Sequence, residues 1–163
     1  MIEINSSTPN REKIAMAITR AVMRWQDVTQ DYDDAVGKEL ELNLAERRCL
    51  SFLVDGPQPA GAIAAATALT PAAVTALIDR MEARGYLVRA RSAEDRRKVM
   101  VATTVAARQA AGRYYGPIAE EGARFLDSFS VAELRTILRF VEGAVDLQER
   151  QLERIGEREA AEA

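Results

Sequence analysis

The sequence predicts a mainly helical chain in which one short β-hairpin interrupts the helices between residues 86 and 103. Three observations carry this expectation. Apolar residues recur at steps of three and four through Ile14, Ile18, Val22, Trp25, Val28, Tyr32 and Val36, and again through Val131, Leu134, Leu138, Val141, Val145, Leu152 and Ile155. Two alternating runs, "YLVRAR" and "KVMVAT", flank the polar stretch "SAEDRR" as the strands of a hairpin would. Residues suited to helix termini punctuate the remainder, with Thr70-Pro71 and Ser130-x-x-Glu133 at starts and Gly85 at an end.

Taken in order, residues 1–9 are polar and expected to be flexible. A long amphipathic helix then occupies 10–42. A second helix, "LAERRCLSFLV", stops at Asp55-Gly56-Pro57, and a third, "AGAIAAATA", is short and alanine-rich. The fourth starts at Thr70, whose side chain suits the N-cap, with Pro71 in the first turn where its missing N–H is harmless. Val74, Leu77, Ile78 and Met81 form its buried face. After the hairpin, Thr104 caps a fifth helix that must accommodate Gly112, Gly116 and Pro117, and a kink is expected there. The last helix follows Ser130. Its apolar stripe has heptad spacing with one polar interruption at Gln148, which points to a partner helix in another chain rather than to the core of its own. Residues 157–163 are expected to form a flexible tail.

Composition narrows the function. The 163 residues are 48% hydrophobic and 29% charged, which suits a folded domain with a real core. There is no histidine, and Cys49 stands alone, so histidine-based triads, zinc-type clusters and an intrachain disulfide are excluded. No cofactor or metal is expected, no catalytic residues are assigned, and the chain is not expected to be an enzyme. The lone cysteine fits a reducing cytoplasm. "MIEINSSTPN" lacks the basic and apolar regions of a signal peptide. The 23 uncharged residues from Gly56 to Ile78 would be long enough to span a membrane. Pro57, Pro59 and Pro71 interrupt them, however, so a closely packed pair of short helices is expected and no membrane contact.

Charge is distributed unevenly. The chain has net charge −3, yet residues 56–104 carry seven Lys/Arg against four Asp/Glu, and the rest carries 15 against 21. Five of the basic residues (Arg89, Arg91, Arg96, Arg97 and Lys98) fall within "RARSAEDRRKVMV". A short helix, a turn, a capped helix and a basic hairpin read as a helix-turn-helix whose second helix would enter the DNA major groove while the hairpin reaches the minor groove; the alternative for the charged tip is a solvated turn.

The stretch "LTPAAVTALIDRMEARGYLVRARSAEDRRKVMVATT" resembles the core of the MarR-type winged helix-turn-helix transcriptional regulators. The likeness is carried by Val74-Thr75, Ile78-Asp79-Arg80, Glu82-x-Arg84-Gly85-Tyr86-Leu87-Val88-Arg89 and Asp95-Arg96-Arg97, and it extends outward through "LNLAERRCLSFL". The resemblance implies a winged helix-turn-helix domain at 43–104, flanked by an N-terminal dimerisation helix at 10–42 and C-terminal dimerisation helices at 105–156. It implies a homodimer on a palindromic promoter site, with repression relieved by a small aromatic or phenolic ligand.

The resemblance also assigns residues. Asp95 would hold Arg97 ready for the minor groove, with Arg96, Lys98, Arg89 and Arg91 on phosphates. Thr70, Pro71, Ala72, Ala73, Thr75 and Ala76 would face the major groove; Arg80 is assigned to the DNA-binding set with them, the alternative being that Asp79 and Arg80 brace the helix against its neighbours. Ala76 departs from the family pattern, in which arginine often follows the Thr75 position, so base readout falls to threonine hydroxyls and alanine methyls. Trp25, Tyr32, Phe52, Tyr114 and Tyr115 would line a ligand pocket, with Arg24 or Arg113 as anion partner. Cys49, in an apolar helical stretch, is expected to be core rather than a redox sensor. The alternative is a winged-helix protein-interaction module without DNA binding.

Overall fold

The computed structural model describes residues 7–91 and 99–162. They form helices α1 (Ser7–Glu39), α2 (Leu44–Phe52), α3 (Ala60–Thr67), α4 (Pro71–Ala83), α5 (Val105–Leu126) and α6 (Val131–Glu162), with strands β1 (Gln58–Pro59), β2 (Leu87–Arg91) and β3 (Val99–Thr103). The chain divides into two compact units, Met1–Tyr114 and Tyr115–Ala163.

In the first unit, local chemistry sets most boundaries. Asn43 and Glu46 make a reciprocal capping box at the start of α2: the Glu46 amide donates to Asn43 Oδ1 at 3.0 Å and the Asn43 amide to Glu46 Oε2 at 2.9 Å. Thr70 caps α4, accepting from the Ala73 amide, with Pro71 in the first turn. Gly85 follows α4 at φ +75°, a left-handed conformation that glycine adopts without penalty. Thr104 caps α5 by accepting from the Ala107 amide at 3.0 Å, and its own hydroxyl donates to the Gly85 carbonyl at 2.7 Å.

The uncharged stretch supplies α3 and the first two turns of α4, helices that meet at 105° across a three-residue break, and among the described residues no single helix is long and apolar enough to cross a membrane. Ala68 makes the turn in the left-handed region at φ 54°, while the Leu69 amide returns to the Ala64 carbonyl. Ile63 from α3, Val74, Leu77, Ile78 and Met81 from α4, Cys49 and Leu53 from the α2 segment, and Leu87 and Val101 from the strands close one core. Burying each such aliphatic side chain contributes roughly 1.5–3 kcal/mol before entropy.

The expected hairpin is present and has one neighbour more than the sequence suggested. β2 and β3 pair antiparallel from Leu87↔Thr103 to Arg91↔Val99. The two-residue β1 adds to the other side of β3, giving the order β1-β3-β2.

In the second unit, Ser130 and Glu133 form the expected box: the Ser130 amide donates to Glu133 at 2.8 Å and the Glu133 amide to Ser130 Oγ at 3.4 Å. The Ser130 hydroxyl, which also donates to the Glu133 carboxylate at 2.6 Å, and next the Ser130 amide hold the Glu133 carboxyl below its usual pKa. Phe125 and Phe129 pack edge to face at the α5–α6 turn, their ring centres 5.1 Å apart. α5 continues as one helix through Pro117.

Candidate nucleic-acid interface

α4 turns one face to the core and the other to solvent. Val74, Leu77, Ile78 and Met81 are buried, and Ala72, Thr75, Ala76 and Asp79, one stripe at helical spacing, are exposed. Thr70 and Pro71 are exposed at its start and Ala73 is half-buried. The Thr75 hydroxyl donates to the Pro71 carbonyl at 3.0 Å and so closes back on its own helix.

The long cationic side chains around α4 are held by the protein itself. Arg80 Nε donates to Glu46 Oε1 at 2.8 Å, joining α4 to the capping box of α2, although half the Arg80 side chain is exposed. Glu46 is 2% exposed, a buried carboxylate satisfied by the Asn43 amide and Arg80, with Arg84 3.8 Å away. Arg84 donates to the carbonyls of Leu40 and Glu41 at 2.9 Å each and lies over the Tyr86 ring, 5.1 Å from its centre. Arg89 on β2 donates to both Glu82 and Asp79, fastening the hairpin to the exposed side of α4. The bond to Asp79 is the chief influence raising the Arg89 pKa, burial opposing it and Glu82 adding to it.

The basic segment expected to reach the minor groove, with Asp95, Arg96, Arg97 and Lys98, lies outside the described residues. The backbone of Arg91 ends β2 opposite Val99.

The residues expected to line a ligand pocket take varied places. Tyr32, half-buried on α1, donates its hydroxyl to the Tyr114 carbonyl at 2.7 Å. Phe52 packs against the core. Arg24, Trp25, Arg113 and Tyr115 are exposed, Trp25 by 63%. An open hollow in the second unit is lined by Phe129, Ala132, Glu133, Thr136 and Ile137, none of them among the expected pocket residues. Cys49 is fully buried, and burial, with a smaller effect of Glu46, pushes its thiol up to about 11, as suits a core residue.

Sequence reasoning passed over Glu46, Glu82 and the Asp34–Arg47 pair, which ties α1 to α2 at 2.5 Å. Asn43-x-x-Glu46 ahead of an apolar helix was the available signal for Glu46. Gly37 and Arg47 carried no local signal: their approach, with the Arg47 side chain over the glycine, exists only in three dimensions.

A capped helix anchored in a small core, crossing its predecessor at 105° and pinned to an adjoining antiparallel hairpin, defines a winged helix-turn-helix domain. Residues 40–98 match the model of the MarR family. In that segment the chain is similar to the MarR family. It is 34% identical over 100 residues to an uncharacterised HTH-type transcriptional regulator of Bacillus subtilis (strain 168), YcgE, a match spanning 61% of this chain and 65% of the relative. Among solved structures, the fold is that of the transcriptional regulator Tm0710 from Thermotoga maritima, with TM-score 0.58 and 18% identity over 84% of this chain and 97% of that one. A mutant of S. aureus MepR bound to an oligodeoxyribonucleotide is similar with TM-score 0.51 and 17% identity, covering 81% of this chain and 97% of that one.

Proposed function

We propose that this chain is a dimeric transcriptional regulator that binds duplex DNA, with α4 in the major groove and the basic hairpin at the minor groove. The observation that carries the reading is the exposed face of α4 beside a hairpin whose loop concentrates Arg96, Arg97 and Lys98 in an otherwise acidic chain. The local positive charge steers the protein to phosphate, while the core behind α4 fixes the angle at which the helix meets the groove. Thr70, Pro71, Ala72, Ala73, Thr75 and Ala76 would lie toward the bases. Arg80 and Arg89, being held by carboxylates, act on DNA by positioning α4, Arg80 against α2 and Arg89 against the hairpin.

Pairing of two chains through 10–42 and 105–156 is supported by what one chain leaves uncovered. Ile14, Ile18, Trp25 and Val28 on α1 and Leu138, Val145, Leu152 and Ile155 on α6 are all 42–67% exposed. A two-fold dimer presents two copies of α4 to half-sites about one helical turn apart, hence a palindromic site. Occupying a promoter there would repress it in the cytoplasm, and a small aromatic or phenolic ligand would release it. Quenching of the exposed Trp25 on titration with such acids tests the last step.

Fluorescence anisotropy with duplex from upstream of the gene, repeated over a salt series, tests the reading. Binding that weakens steeply as salt rises supports it, and sedimentation at twice the chain mass supports the dimer. No binding at low salt would leave the protein-interaction module, which the absence of a long uncommitted donor on the exposed stripe of α4 favours.

A further inference from the structure

We infer that α4 identifies its DNA through thymine methyl groups in the major groove, with Ala72, Thr75 and Ala76 supplying the contact surface. This rests on the DNA-binding reading above and goes further by naming the base feature that is read.

Reading guanine or adenine by a bidentate contact takes an arginine, lysine, asparagine or glutamine pointing at the base edge. The exposed stripe of Ala72, Thr75, Ala76 and Asp79 has none. The nearest candidates are occupied: Arg80 by Glu46, Arg84 by the Leu40 and Glu41 carbonyls, and Arg89 by Glu82 and Asp79. The one hydroxyl on the stripe already donates to Pro71. Breaking that bond to address a base exchanges one hydrogen bond for another and gains little. What remains facing outward is the side-chain methyls of Ala72 and Ala76 and the Thr75 Cγ2. The matching feature of the major groove is the thymine 5-methyl, its one apolar projection. Small side chains also let the helix backbone come close enough for methyl to meet methyl.

The test begins by selecting tight duplexes from a randomised pool with the wild-type protein. Each half-site thymine of the best duplex is then replaced by deoxyuridine, which removes only the 5-methyl group. Affinity should fall about fourfold per contacted thymine, the effect of losing one buried methyl. Two variants assign the contact. Thr75→Val keeps a methyl and loses the hydroxyl, so its penalty for uracil at each thymine should equal that of the wild type, since an uncharged hydroxyl already bonded within its helix adds little to that difference. Thr75→Ser keeps the hydroxyl and loses the methyl, so at one thymine the uracil penalty should vanish. If uracil is tolerated at every position, or if Thr75→Val alone abolishes binding, the inference is overturned while the DNA-binding reading stands. If the pool yields no duplex at low salt, the DNA-binding reading fails and this inference falls with it.

Discussion

Glu46→Ala removes three supports at once. The carboxylate, 2% exposed, completes the α2 capping box through the Asn43 amide and accepts from Arg80 Nε at 2.8 Å. Its half of the capping box contributes about 0.5–1 kcal/mol. A charge-assisted bond is worth about 1.5–3 kcal/mol when fully shielded. With the Arg80 side chain 50% exposed, solvent screening leaves roughly 1 kcal/mol of that. The buried methylene that alanine lacks adds about 0.8 kcal/mol. Urea unfolding followed by circular dichroism, at one fixed protein concentration, should therefore show a loss of about 2.5 kcal/mol. Glu46→Gln keeps the methylene and an acceptor for Asn43, so it should lose about 1 kcal/mol. A loss below about 0.5 kcal/mol for Glu46→Ala, within the range of ordinary surface substitutions, would refute the claim that this carboxylate joins α2 to α4.

Three further outcomes follow from packing and titration. A Cβ on Gly37 would lie 2.8 Å from Arg47 Cδ and 3.1 Å from the Leu42 carbonyl oxygen. Arg47 is tied to Asp34, so Gly37→Ala should destabilise by about 1–3 kcal/mol in the same unfolding assay. Ala68 holds φ 54°, so Ala68→Gly should stabilise by about 0.5–1 kcal/mol, the relief of left-handed strain exceeding the added chain entropy. The Cys49 thiol is raised from 9.0 to about 11 in the folded chain. Between those values the unfolded chain loses its proton and the folded chain keeps it, so stability is intact below pH 9 and falls as pH rises toward 11. The loss should be on the order of 2 kcal/mol, and Cys49→Ala should remove that pH dependence.

The parts of the fold legible in the sequence are those set within a few residues. Thr70-Pro71, Gly85, Thr104 and Ser130-x-x-Glu133 mark helix ends because capping depends on neighbours three positions away. The four buried positions of α4 follow from period alone. β1 was not legible: it has two residues, one of them a proline without an N–H, and it exists only because β3 offers an edge. The cationic side chains were legible only in part. Arg89 looks like a surface charge suited to phosphate, but the Asp79–Glu82 pair on α4 holds it, and the partner that Arg80 braces against, Glu46, is 34 residues away. A local window cannot contain such distant partners. The apolar stripes on α1 and α6 were readable as stripes, since period reveals a face, whereas what covers a face is not set by period.

The central claim is that the basic hairpin beside α4 engages DNA, and Arg97 is its most direct test. Anisotropy of wild type and Arg97→Ala on the same upstream duplex, over a salt series, should show tight wild-type binding. The variant should bind at least about tenfold more weakly, with a salt slope shallower by about one if Arg97 neutralises a phosphate as it enters the groove. Equal affinity and equal salt slope for the two proteins would contradict the claim.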